Sequence, residues 1–169
     1  MNSNTRRTLA IVAAATLLAG CGAVKSVTNN VSNPMTPEQS KAQVVDAAHD
    51  VARAVAQPVV SASFSHSSCN DQGEAPFRGV VDVFYAAPTD PASATAAFND
   101  MTQRLQGDGW AADSGFQSHG TTLKKEGVDA VLYPADASVA KVHIVLYGEC
   151  RDVTTTKDQA GISEPVTLT

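Results

Sequence analysis

The chain has 169 residues, 43% of them apolar, and carries a net charge of −5 with histidine neutral. This length and this apolar share are typical of a single globular domain. The excess of negative charge argues against a nucleic-acid-binding surface and against a polybasic patch that binds membranes.

The first 20 residues have the order of an export signal. Arg6 and Arg7 precede an apolar run from Leu9 to Leu18, and small residues follow it. A membrane-spanning helix needs about 20 apolar residues, and the run is only about half that long. An uncleaved anchor is therefore disfavoured. An ordinary secretory signal, with Cys21 near the cleavage site by chance, is the other alternative.

The segment Leu18-Ala19-Gly20-Cys21 resembles the lipobox of bacterial lipoproteins. The resemblance implies that residues 1–20 are removed, that Cys21 carries a diacylglycerol on its sulfur, and that the new amino group is acylated, for instance with palmitate. Two or more acyl chains anchor a protein stably to a bilayer. We therefore expect a chain anchored by its lipid on the extracytoplasmic face of the cell membrane. The loss of Arg6 and Arg7 makes the mature chain more acidic.

After the signal, residues 21–35 are polar and lack apolar periodicity, which predicts a flexible tether between the lipid and a domain. A single domain is predicted over residues 36–151. Its first helix is expected to begin after Thr36, because Pro37 and Gln39 complete a capping box. Val44, Ala48, Val51 and Val55 then recur at helical spacing, and Pro58 ends the helix.

The following residues alternate between apolar side chains and serines from Val60 to His66, which predicts a half-buried strand. A second strand is predicted from Phe77 to Tyr85, and a second helix from the N-cap Asp90 to Gly107. Glu126-Gly127 is typical of a tight hairpin turn. A short segment at Trp110 and strands at 121–125, 128–133 and 141–147 complete the predicted elements.

This order of elements predicts an α+β fold, a two-layer sandwich with an antiparallel sheet of about five strands and two helices on one face. Residues 152–169 are polar and are predicted to form a flexible tail. In the last strand, His143, Val145 and Tyr147 point away from the predicted core. They form a candidate interaction surface if the sheet face without helices is open.

Two cysteines remain after Cys21, and both belong to the exported domain. A pair such as Cys69 and Cys150 in an oxidising compartment is most simply a disulfide. A zinc site that includes His66 and a further histidine is the alternative, although the spacing is not that of a zinc module. We therefore expect no metal.

Three short segments carry a second resemblance, which covers nearly the whole chain. They are Cys69–Gly73, Leu105–Trp110 and Gly148–Cys150. With the lipobox and the tether, they resemble small mycobacterial lipoproteins of the LppA type. The resemblance implies a cell-envelope lipoprotein in which a disulfide joins the first and last of these segments, and it brings no catalytic residues.

The sequence contains no G-x-S-x-G elbow, no Gly-rich phosphate loop and no C-x-x-C motif. The chain is therefore predicted not to be an enzyme and to need no cofactor. The favoured hypothesis is a non-catalytic binding domain for an envelope protein or a small ligand, with no role for nucleic acid. One alternative is a carrier with a cavity for a lipid or small hydrophobic ligand, and another is an envelope enzyme.

Overall fold

A computed structural model of the protein describes residues 31–113, 115–136 and 140–168. The predicted signal segment, Cys21 and the first part of the predicted tether lie outside the described residues. Within the described ranges, no helix is both long enough and apolar enough to cross a membrane.

The structure has two helices and a seven-stranded sheet in which every pair of neighbouring strands is antiparallel. The predicted α+β class is confirmed. The strand order is β3-β4-β5-β6-β2-β1-β7. Two of the strands, β3 and β7, have only two residues each, and they account for the difference from the five expected. In chain order the elements are α1 Pro37–Val55, β1 Val59–Ser68, β2 Phe77–Ala86, α2 Pro91–Gly107, β3 Ala111–Ala112, β4 Thr121–Lys125, β5 Val128–Tyr133, β6 Lys141–Tyr147 and β7 Glu164–Pro165.

Both helices begin at the capping residues that the sequence predicted. The Thr36 hydroxyl accepts a hydrogen bond from the Gln39 backbone N–H at 3.2 Å, and the Gln39 side chain accepts one from the Thr36 N–H at 2.9 Å. At α2, the Asp90 carboxylate accepts a hydrogen bond from the Ser93 N–H at 2.8 Å. These bonds satisfy backbone donors that have no partner inside the helix.

The core lies between the helices and one face of the sheet. Its fully buried side chains come from both layers, and they include Val44, Val51 and Val55 of α1, Met101 and Leu105 of α2, and Val81, Tyr85, Leu123, Leu132, Ile144 and Leu146 of the strands. Trp110, just after α2, is also buried in this core.

Helix α1 lies directly on strand β2 because Gly79 has no side chain. A Cβ atom at Gly79 would lie 2.5 Å from the Ser40 carbonyl oxygen and 2.8 Å from Cγ2 of Val44. The Gly79 N–H donates a buried hydrogen bond of 2.8 Å to the Ser40 hydroxyl. This close packing leaves no space for a ligand between α1 and this part of the sheet.

The structure differs from the prediction of a flexible tail at residues 152–169. Asp152 and Thr155 are buried, and β7 pairs with β1. The polar composition of this segment did not indicate an ordered structure, because hydrogen bonds hold the segment in place. The Val166 N–H donates to the Ala62 carbonyl at 3.0 Å, and the Asp152 carboxylate accepts from the Thr155 N–H at 3.0 Å. The segment thus covers β1, which would otherwise be a long exposed edge strand.

The predicted tether also ends earlier than residue 35. The Met35 N–H donates to the Arg151 carbonyl at 2.8 Å, and Nε of Arg151 donates to the Asn33 carbonyl at 2.7 Å. Met35 and Asp152 form a parallel β-bridge. The folded domain therefore includes residues 33–35 and extends beyond residue 151.

A candidate binding face on the sheet

The face of the sheet opposite the helices, here called the helix-free face, carries the three surface residues that the sequence predicted. His143, Val145 and Tyr147 alternate along β6 with the core residues Ile144 and Leu146. Their neighbours on the flanking strands face the same way, because paired residues in a sheet share a face. These neighbours are Val80, Asp82 and Phe84 on β2 and Asp129, Val131 and Tyr133 on β5.

The centre of the helix-free face is covered, so the predicted interaction surface is not continuous. Val145 is only 4% exposed and Val131 is fully buried. The segment between β3 and β4 lies against this region. The Phe116 ring packs on Tyr147 with 5.0 Å between centroids, and a Cβ atom at Gly120 would lie 2.7 Å from Cγ1 of Val131. Val145 is therefore unavailable to a partner, whereas His143 and Tyr147 are partly exposed.

One end of the helix-free face, here called the aromatic end, consists of Phe84, Tyr133 and His143. The His143 ring is stacked on Phe84 with 4.2 Å between centroids and an angle of 8° between planes, and it lies 5.7 Å from the Tyr133 ring. Nε2 of His143 lies 2.7 Å from Oδ1 of Asp82. Nζ of Lys141 lies 5.8 Å from the centre of the Phe84 ring. The cluster offers a partner both apolar area and charge.

The other end of the helix-free face is built around Arg78, the residue two before Val80 on β2. The guanidinium carbon lies 5.6 Å from the centre of the Phe116 ring and 5.6 Å from that of Tyr147, which is the range of cation–π contacts. Burial lowers the pKa of Arg78 from its ordinary value, although an arginine remains charged in a protein. Among the described residues, no hydrogen bond or ion pair involves this side chain.

Arg78 faces a pocket of about 490 Å³ at the end of the sheet, here called the arginine pocket. Its charged lining side chains are Arg78, Lys124, Asp129, Glu149 and Arg151, and Val31 and Ser32 lie at its wall. The pocket is therefore close to the point where residues 31–35 join the domain.

The other cations of the arginine pocket already have carboxylate partners. Nζ of Lys124 lies 3.3 Å from Asp129 and 3.4 Å from Asp113, and the Arg151 guanidinium lies 2.9 Å from Glu149. Burial raises the pKa of Asp129, while the Lys124 ammonium opposes this change. Arg78 is thus the one cation in the described lining of this pocket that has no carboxylate partner within ion-pair distance.

The structure contains the predicted disulfide, and it lies beside the arginine pocket. The Cα atoms of Cys69 and Cys150 are 6.0 Å apart, which suits a disulfide. Because both thiols are bridged, they cannot be zinc ligands. His66 contacts other groups, with Nε2 at 3.3 Å from the Pro37 carbonyl and 3.7 Å from Asp152. In the described part of the chain, no group of three potential metal-binding side chains occurs.

Sequence reasoning missed the arginine pocket. Its one visible signal is the positive charge of Arg78 in a strand whose other charged residue is Asp82. Phe116 gave no signal, because its contact with Tyr147 depends on the path of a loop.

Fold and face together define a class: a small disulfide-linked α+β domain with a partly covered sheet face. The comparisons with known proteins are more specific. The chain belongs to the family described as Putative lipoprotein LppJ, whose model matches residues 36–169. It is 35% identical over 162 residues to the protein of that name from Mycobacterium bovis, covering 89% of this chain and 84% of the relative. The proteins of that name from two strains of Mycobacterium tuberculosis are 34% identical with the same coverage. The expected kinship with mycobacterial lipoproteins is confirmed. No solved structure matches the chain.

Proposed function

We propose that this protein is a lipid-anchored protein of the cell envelope whose domain binds a protein partner, without catalysis, through the aromatic end of the helix-free face. The relatives are named lipoproteins, which supports the anchor, as does the lipobox at Leu18 to Cys21. The observation that carries the binding role is a stacked and partly exposed cluster of Phe84, Tyr133 and His143 on a face without helices.

The chemistry of the aromatic end favours a protein as the partner. Aromatic side chains are enriched in protein interfaces, and charged groups at the border of such a patch set specificity. Asp82 and Lys141 provide one charge of each sign beside the rings. Because Phe84 and Tyr133 flank the imidazole of His143, the ring offers a partner its edge.

Two other functions receive less support. A hydrophobic carrier needs a cavity inside the sandwich, and the contact of α1 with Gly79 removes that space from one side of the core. A hydrolase of the triad type needs a nucleophile next to the His143–Asp82 pair. Among the described residues, Asp82 is the hydrogen-bond partner of the His143 ring, and no hydroxyl or thiol joins them.

The anchor is tested by Cys21→Ser in cells. We expect the variant to move from the membrane fraction to the soluble fraction, because the acyl chains have lost their attachment atom. A wild-type chain treated in parallel is the control. Retention of the variant in the membrane fraction would contradict the lipid anchor.

The binding face is tested by site-specific photocrosslinking in intact cells. A photoreactive phenylalanine analogue replaces Tyr133 in one strain and Gln103, which is exposed on α2, in another. We expect a discrete crosslinked species from position 133 only, and we expect His143→Ala to weaken it without loss of the folded circular dichroism spectrum. Equal crosslinking from both positions, or none from position 133, would rule out this surface.

A further inference from the structure

The side chain of Arg78 is in an unusual environment for a charged residue. It lies on a strand near the middle of the sheet, between β1 and β6, with aromatic rings of Phe116 and Tyr147 near its guanidinium. A guanidinium has five N–H donors, and aromatic contacts satisfy none of them fully. Within the described ranges, no protein acceptor takes these donors, and Arg78 lines an open pocket.

The charges around the pocket limit what these donors can bind. Lys124 and Arg151 are paired with carboxylates, whereas Arg78 has no carboxylate within ion-pair distance and feels Asp129 only at longer range. Asp129 and Glu149 also line the pocket and would repel a ligand with two or more negative charges at one group. A singly charged oxyanion therefore suits the site better than a phosphate dianion.

We infer that the arginine pocket binds a small organic acid through its carboxylate, which pairs with the Arg78 guanidinium. The planar fork of arginine matches a carboxylate through two parallel hydrogen bonds. A volume of about 490 Å³ accommodates a small molecule and not only an ion. The rings of Phe116 and Tyr147 hold the guanidinium in place before the ligand arrives, which lowers the entropy cost of binding.

This site is distinct from the proposed protein-binding surface. The two lie at opposite ends of the helix-free face, with the buried Val131 and Val145 between them. A ligand in the pocket would also contact Val31 and Ser32, where the chain arrives from its N-terminal part. The experiment on one site can therefore contradict that site without bearing on the proposal for the other.

The test uses the mature lipidated protein in detergent micelles at constant ionic strength, with ligand-observed saturation-transfer NMR as the measurement. The probes are N-acetylalanine, its uncharged amide and inorganic phosphate. We expect saturable binding of N-acetylalanine, no saturable binding of the amide, and weaker binding of phosphate. Equal binding of the acid and the amide, preferential binding of phosphate, or no saturable binding of the acid would each overturn the inference.

Variants locate the site. Arg78→Gln should weaken binding of N-acetylalanine about tenfold or more, the loss expected for charge-assisted hydrogen bonds. The affinity of Arg78→Lys should lie between those of wild type and Arg78→Gln, because lysine keeps the positive charge but lacks the two parallel N–H donors of the guanidinium. Arg104→Gln is the matched control, since Arg104 lies on α2 and pairs with Asp100. If circular dichroism shows that Arg78→Gln does not fold, Arg78→Lys alone serves as the test. Binding of N-acetylalanine by Arg78→Lys with wild-type affinity would overturn the assignment.

Discussion

Substitution of Gly79 by alanine tests the packing of α1 on the sheet. The added Cβ would lie 2.5 Å from the Ser40 carbonyl oxygen, 2.8 Å from Val44 Cγ2 and 3.1 Å from Phe64 Cε2. The nearest atom belongs to the helix backbone, so no side-chain rotation relieves the contact. Helix α1 has to move away from β2, which also stretches the hydrogen bond from the Gly79 N–H to the Ser40 hydroxyl.

The expected loss in the free energy of unfolding combines these two effects. Overpacking of a core costs about 1 to 3 kcal/mol, and a buried hydrogen bond that loses its partner costs about 1 to 3 kcal/mol. We expect Gly79→Ala to lose about 3 kcal/mol of a total stability of about 5 to 15 kcal/mol. Urea denaturation followed by circular dichroism, with the disulfide intact, measures this loss as a lower midpoint.

Gly107→Ala is the matched control, because a Cβ atom at Gly107 meets nothing within 4 Å. We expect no loss there, and a gain of up to about 1 kcal/mol since alanine favours the helix. Neutral surface substitutions change the free energy of unfolding by up to roughly 0.5 kcal/mol. A Gly79→Ala variant whose free energy of unfolding lies within that range of wild type would refute the close packing of α1 on β2.

Three further predictions concern stability. Replacement of both Cys69 and Cys150 by serine should lower the free energy of unfolding by about 4 kcal/mol, because the bridge spans a sequence separation of 81 residues; an unchanged urea midpoint would contradict this. Burial alone would raise the pKa of Asp152, but hydrogen bonds from Thr155 and Thr154 together lower this pKa below its ordinary value. The ionised Asp152 therefore stabilises the fold above the unfolded-state pKa, and this stabilisation is lost as pH falls through the folded-state pKa. Asp152→Asn should therefore reduce the acid dependence of the urea midpoint below about pH 4, whereas exposed Asp158→Asn should not, and identical pH profiles would count against it. Burial raises the pKa of Tyr85 to about 12, and its hydroxyl has no hydrogen-bond partner among the described residues; Tyr85→Phe should match or exceed wild-type stability by up to about 1 kcal/mol, and a loss of that size would show that the hydroxyl is bonded.

Local signals in the sequence predicted the helices and most of the strands closely. The capping residues Thr36 and Asp90 fix where the helices begin, since their side chains bond to backbone groups only three residues away. The hairpin at Glu126-Gly127 was equally clear, and both residues have positive φ angles, of 49° and 80°. Interactions over such short separations depend little on the rest of the fold.

Contacts between distant segments could not be predicted in the same way. The alternation along β6 correctly placed His143, Val145 and Tyr147 on one face, but nothing in it indicated that the segment between β3 and β4 would cover part of that face. The pairing of β7 with β1 uses backbone groups, which carry no residue-type signal. For the same reason, the polar composition of residues 152–169 favoured a tail over an ordered segment.

The attachment of residues 33–35 to Arg151 has a mechanical consequence. If Cys21 is anchored in a membrane, any pull on the domain arrives at the contacts of Met35 and Asn33 with Arg151. The adjacent residue is Cys150, which is covalently joined to the loop between β1 and β2. Tension that passes through these contacts therefore enters the domain next to a covalent crosslink at the end of the sheet.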